Sequence, residues 1–155
     1  MNRNPAITHR WIPPGGDLAD ASLIRRTVFV GEQGVSEEEE WDGLDPACDH
    51  IVLYADGRPV ATGRIVWGRP VLLGRIAVLR ECRGTGLGAE VVSRLAEKAF
   101  AAGAEEVHLH AQLHARGFYE KLGFTAYGEP YEEAGIPHIS MCKKRPANEN
   151  APGPQ

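Results

Sequence analysis

The sequence predicts an α/β (α+β) domain: a mixed, mostly antiparallel sheet with helices packed on it. Three observations carry that class. Two strand-like runs, His50–Ala55 and Pro59–Trp67, flank the dipeptide Asp56-Gly57, which suits a two-residue hairpin turn. A second tight break, Gly68-Arg69-Pro70, leads into a third run, Val71–Leu79. Breaks that short make an antiparallel meander, because a parallel pair needs a crossover of about a dozen residues. The apolar period then switches to that of a helix over Gly86–Ala102, and strand-like runs return after it.

In chain order, Ile7–Ile12 reads as a strand stopped by Pro13-Pro14-Gly15-Gly16. Asp17 is a candidate N-cap for a helix running towards Val30, with Leu18, Ala21, Ile24 and Val28 at helical spacing. Gly31 and Gly34 should break it. An acidic stretch, Ser36–Asp45, follows with six acids and no base. It reads either as a solvated loop or as a lure for a cationic acceptor. After the three-strand meander, the helix over Gly86–Ala102 carries Leu87, Val91, Leu95, Ala99 and Ala102 on one stripe, and Gly103 closes it. Val107–Ala111 should be a strand and Leu113–Leu122 a short helix ended by Gly123. Two last strands are expected over Phe124–Glu129 and His138–Lys143, with a loop Pro130–Pro137 between them.

The 155 residues suit one domain with one core. Residues 1–146 read as that domain, and 147–155, polar and rich in Pro and Gly, as a flexible tail. A net charge of −4 gives no reason to expect nucleic acid as a partner. No run of about 18 apolar residues exists to span a membrane, and no secretory signal is evident. Three cysteines at unrelated spacings argue against a disulfide framework. The expected location is the cytoplasm.

The most informative residues are Arg83-Gly84-Thr85-Gly86-Leu87-Gly88, between a strand and a long helix. Glycines let the backbone bring its N–H groups close to a ligand, and the first turn of a helix adds free donors and a positive dipole end. The result is a socket for phosphate oxygens, to which Arg83 can add charge. The P-loop pattern is absent, since no Gly-Lys-Ser/Thr occurs. Gly84–Ala89 formally satisfies the dinucleotide pattern G-x-G-x-x-[GA], but that pattern belongs directly after the first strand of a parallel βαβ unit. Here Arg80–Arg83 intervenes, a meander precedes, and Glu105 and Glu106 open the next strand rather than end it.

From about Ile7 to Lys144 the chain resembles the GNAT superfamily of N-acetyltransferases. Arg83, Gly86 and Gly88 match the family's pyrophosphate signature, Q/R-x-x-G-x-G/A, and Ala115–Phe124 (ARGFYEKLGF) is similar to its second signature. Gly74–Val78 looks like the family's splayed central strand. Within the family the chain is similar to the ElaA/YjcF-type branch, through Val28–Gln33, Asp45, His50 and Gly135-Ile136-Pro137-His138. The resemblance implies the GNAT acyl-CoA N-acyltransferase fold, with helices on both faces of the sheet. It also implies acetyl-CoA as co-substrate and direct transfer, in a ternary complex, to a small-molecule or peptidyl amine. No metal is implied, and a homodimer is left open.

By the same resemblance, Ile76, Ala77 and Val78 pair with the pantetheine arm, while Arg83, Gly84, Thr85, Gly86, Leu87, Gly88 and Ala89 hold the pyrophosphate. Gln112 stands where many members carry Asn, its amide one carbon farther out. Phe118 and Tyr119 are implied beside the coenzyme, with Tyr119 as general acid to the leaving thiolate and a backbone N–H near Val78 polarising the carbonyl. The strand Leu72–Val78 offers no acid or His as base. Glu32, acting through water, is the first candidate and His138 the second. His110 and His114 stand four apart but on different predicted elements, so they do not make a metal face. The alternative function is an acyl-CoA-binding sensor without turnover.

Overall fold

The computed structural model describes residues 4–147. Its elements are β1 (Ile7–Ile12), α1 (Ala19–Arg25) continued by a π-helical segment (Arg26–Glu32), α2 (Glu37–Glu40), β2 (Asp49–Ala55) and β3 (Arg58–Val66). There follow β4 (Val71–Val78), α3 (Leu87–Ala101), β5 (Glu106–Gln112), α4 (Arg116–Lys121), β6 (Thr125–Glu133) and β7 (Ile136–Lys144). The seven strands form one sheet in the order β1-β2-β3-β4-β5-β7-β6. All neighbours run antiparallel except β4 and β5.

The Asp56-Gly57 turn has φ of 48° and 83°, the doubly positive backbone of a type I′ hairpin. Asp17 does cap the first helix, but one residue early: its Oδ1 accepts the Ala19 N–H at 2.9 Å, and Leu18 is the boundary residue. Gly31 does not break the helix. The chain passes through it by widening to π geometry, with the Gln33 N–H donating to the Val28 carbonyl at 3.0 Å, and turns only at Gly34, where φ is 72°.

Strand alternation sends consecutive β3 residues to opposite faces. Gly63 meets α3: an added Cβ would stand 2.7 Å from Val91 and 2.8 Å from Leu95. Only glycine permits that approach, and it lets the α3 stripe of Val91, Leu95 and Ala99 bury completely. Arg64 points the other way, to Asp42 and Asp45, and α1 packs on β3 from that side. The sheet is therefore covered on both faces, as the family resemblance implied.

The expectation of a loop over Pro130–Pro137 is corrected. β6 runs on to Glu133, β7 begins at Ile136, and the turn between them is Ala134-Gly135, φ 53° and 74°. Two prolines hide this in the sequence. Pro130 falls where the β6–β7 register shifts, between Tyr127 and Tyr131, and Pro137 lies just beyond the end of the β5 ladder at His138. At those places a missing N–H costs no ladder bond. The tail expected over 147–155 lies, Ala147 apart, outside the described residues. Among the described residues no helix is long and apolar enough to cross a membrane.

Candidate active site

β4 and β5 pair over only three residues, Val71↔Val107, Leu72↔His108 and Leu73↔Leu109. Beyond Leu73 the strands part. The cause lies in β4: Gly74 pairs with Arg64 and Ala77 with Thr62, so Arg75 and Ile76 together oppose Gly63. Arg75 takes φ 50°, a left-handed conformation that costs a non-glycine residue ~1–2 kcal/mol. Its guanidinium holds it there, donating to the Glu40 carbonyl at 3.0 Å and lying 3.3 Å from Asp42. Such a bulge bends its strand. The gap so opened is the wall of a pocket of about 1040 Å³, lined by Ile76, Ala77 and Val78 on one side and His110 and Gln112 on the other.

At one end of the pocket stands the glycine loop. Gly84 and Gly86 have φ of 81° and 87°, and Gly86 is the residue from which α3 starts. The first intrahelical bond runs from Glu90 N–H to the Gly86 carbonyl, so the N–H groups of Leu87, Gly88 and Ala89 have no helical acceptor. Those three residues, with Gly84 and Gly86, line the pocket. Thr85 does not; its hydroxyl donates to the Cys82 carbonyl at 2.7 Å and braces the loop. Arg83 is engaged elsewhere. Its Nη1 and Nη2 meet the two Glu32 oxygens at 2.6 and 2.7 Å, and its Nε donates to the Val78 carbonyl at 3.0 Å. Arg83 in turn holds the Glu32 carboxyl below the ordinary range. The residues expected as base and as phosphate cation thus neutralise one another and tie the π segment to the loop.

Tyr119 stands on α4, 9% exposed, its ring edge-on to Phe118 at 5.0 Å and Phe124 at 5.9 Å. Burial pushes its phenol up to about 12. The side chain lines the pocket, and its hydroxyl has no hydrogen-bond partner among the described residues. Phe118, beside Gly88, is 39% exposed to the same space.

The α1 side of the pocket is polar in two separate ways. Gln112 forms a reciprocal amide pair with Gln33 (3.2 and 2.8 Å) and takes His114 Nε2 at 2.9 Å. Next to it in register is His138, whose Nδ1–H donates to the Ile136 carbonyl at 2.7 Å. That bond makes Nδ1 the donor, and Nε2, turned to the pocket mouth, makes no hydrogen bond among the described residues. Opposite lies a buried ion network. Arg25 Nε meets Glu40 at 2.7 Å, and Asp45 receives Arg25 at 2.7 Å, Arg64 at 2.8 Å and His50 at 3.2 Å. Burial opposes the ionisation of Asp45, but bonds from His50 and the two arginines outweigh it and hold its carboxyl far below the usual range. The acidic stretch is therefore neither a loop nor a lure as a whole. Glu37–Glu40 is a helical turn capped by Ser36, and Glu40, Asp42 and Asp45 face inward.

The sequence profile of the acetyltransferase (GNAT) domain matches residues 24–145. The chain belongs to the GNAT family. GNAT proteins are acyl-CoA-dependent transferases acting in general on amines. This one is 42% identical over 132 residues to YyaT of Bacillus subtilis (strain 168), covering 83% of this chain and 89% of that one. It is 40% identical over 130 residues to the uncharacterised N-acetyltransferase YjcF of the same organism, covering 81% and 91%. The crystal structure of Escherichia coli ElaA superposes with a TM-score of 0.82 at 30% identity, covering 90% of this chain and all (100%) of that one. The ElaA/YjcF resemblance read from the sequence thus stands.

Of the coenzyme-binding and catalytic candidates taken from the sequence, all but Thr85 line this one pocket. Reasoning on the sequence missed Arg75, which bends β4, and Glu133, which joins His138 at the pocket mouth. The Ala134-Gly135 dipeptide between alternating runs was a signal for Glu133, masked by the neighbouring prolines.

Proposed function

We propose that the protein transfers the acetyl group of acetyl-CoA to a primary amine by direct attack in a ternary complex. The observation that carries this reading is one pocket running through the β4–β5 gap, from the free N–H groups of α3 to the imidazole of His138. Pyrophosphate fits the donors of Leu87, Gly88 and Ala89. The pantetheine arm fits the β5-facing edge of β4 at Ile76 and Val78, which β5 leaves unpaired past Leu73. The amine nitrogen attacks the thioester carbon, the C–S bond breaks, His138 Nε2 takes the nitrogen's proton, and Tyr119 protonates the thiolate sulfur. We place the base at His138 rather than Glu32 because Arg83 binds both Glu32 oxygens and lowers its basicity.

The test is thermal shift followed by turnover. Acetyl-CoA at about a hundred times its Kd should stabilise the fold by ~2.7 kcal/mol, NADH should not, and free CoA should be released only when an amine is present. Stabilisation by NADH alone overturns the reading. Tight acetyl-CoA binding with no release for any amine points to the sensor instead.

A further inference from the structure

Glu133 belongs to no part of the scheme above, yet it lines the same pocket. It is the last residue of β6 before the Ala134-Gly135 turn, and so its backbone is fixed. Its Oε1 stands 3.6 Å from His110 Nδ1 and its Oε2 3.7 Å from His138 Nε2. Both distances are too long for hydrogen bonds. His138 is only 8% exposed, its Nδ1–H is committed to the Ile136 carbonyl, and its Nε2 makes no hydrogen bond among the described residues. A carboxylate and an imidazole nitrogen therefore meet at one point of the pocket, neither of them hydrogen-bonded among the described residues.

We propose that Glu133 receives the ammonium group of the acceptor, and that the acceptor is a primary amine on an apolar body with no carboxylate beside its nitrogen. The inference rests on the acetyltransferase reading. An ammonium carries three N–H donors. One can bond Glu133 and another His138 Nε2, and passing that second proton to Nε2 leaves a neutral amine already in place. Among the described residues, the rest of the pocket offers a substrate carboxylate no arginine or lysine free of an acidic partner. Its three lining arginines are all committed: Arg83 to Glu32, Arg64 to Asp42 and Asp45, Arg75 to Glu40 and Asp42. No lysine lines it. Apolar Leu44, Val66 and Leu72, which also line it, are left to take the body of the acceptor.

The experiment compares 2-phenylethylamine with L-phenylalanine, which differs by the carboxylate alone. Each is titrated by calorimetry into the full chain with CoA present, and each is tried as acceptor from acetyl-CoA. The wild type should bind the amine at least about tenfold more tightly than the amino acid, and Glu133→Gln should lose about tenfold in amine affinity. In turnover the loss should fall on KM more than on kcat. An unchanged melting temperature in Glu133→Gln separates lost binding from lost folding. Equal binding of the two compounds, binding of neither, or an amine affinity indifferent to Glu133→Gln overturns the assignment. A wild type that binds the amine through Glu133 but transfers no acetyl keeps the receptor and sinks the transferase.

Discussion

The ring of Tyr119 is held by Phe118 and Phe124, and the residue lines the pocket. Removing only the oxygen, by Tyr119→Phe, keeps those ring contacts and deletes the donor. With the phenol pushed up to about 12, it stays protonated at neutral pH and is available as an acid. General acid catalysis is typically worth ~10²–10⁴, so kcat should fall within that range. Coenzyme affinity, measured separately by calorimetry, should change little; full turnover would remove Tyr119 from the chemistry. Gly86 works differently. An added Cβ there meets nothing within 4 Å, but φ is 87°. Gly86→Val should therefore weaken acetyl-CoA binding by distorting the start of α3 rather than by collision with protein atoms. Unchanged affinity in a folded Gly86→Val protein would make the loop structural only.

Elements are set by their ends as much as by their periodicity. The β6–β7 hairpin turns on Ala134 at φ 53° followed by Gly135, a type I′ geometry for which Asn-Gly is the preferred pair. Ala134→Asn should accordingly stabilise the chain by about 0.5–1 kcal/mol, read as a higher melting temperature. A lower one would mean that the turn is not I′ in solution. The α1–π segment shows the same dependence on ends: a π turn carries the chain past Gly31 and swings Glu32 and Gln33 towards the loop and β5.

At the scale of the molecule, the buried ions join α1, α2 and the sheet. Arg25 and Arg64 are 1% and 5% exposed, and both reach Asp45. Asp45→Asn leaves them short of a counter-charge and should cost about 3–5 kcal/mol. The pH dependence follows from the direction of the shifts. Asp42 and Asp45 titrate lower in the folded chain than the ordinary value of ~3.9. Below about pH 5 the unfolded chain begins to bind protons that the folded chain does not, so the stability they contribute is complete above that pH and is lost as pH falls. Melting temperature should drop steeply from pH 5 to pH 3 in the wild type. In Asp45→Asn it should start lower and drop less; parallel curves would show that Asp45 is not linked to folding.

The sequence alone determined the order of the main elements, the meander and the glycine loop at the start of α3. Those features rest on local signals: Asp56-Gly57 at a turn, the 3.6 period of α3, and glycines at Gly84 and Gly86 where φ must be positive. Tertiary structure decided the far end of the pocket and the partners of each charge. Arg83 and Glu32 are 51 positions apart, and Gln33 and Gln112 are 79 apart. No local pattern can pair them, because a charged side chain takes whichever partner the fold delivers. Glu133 meets His138 only because β6 continues through Pro130 to a two-residue turn, and that continuation depends on where the ladder leaves an N–H unneeded.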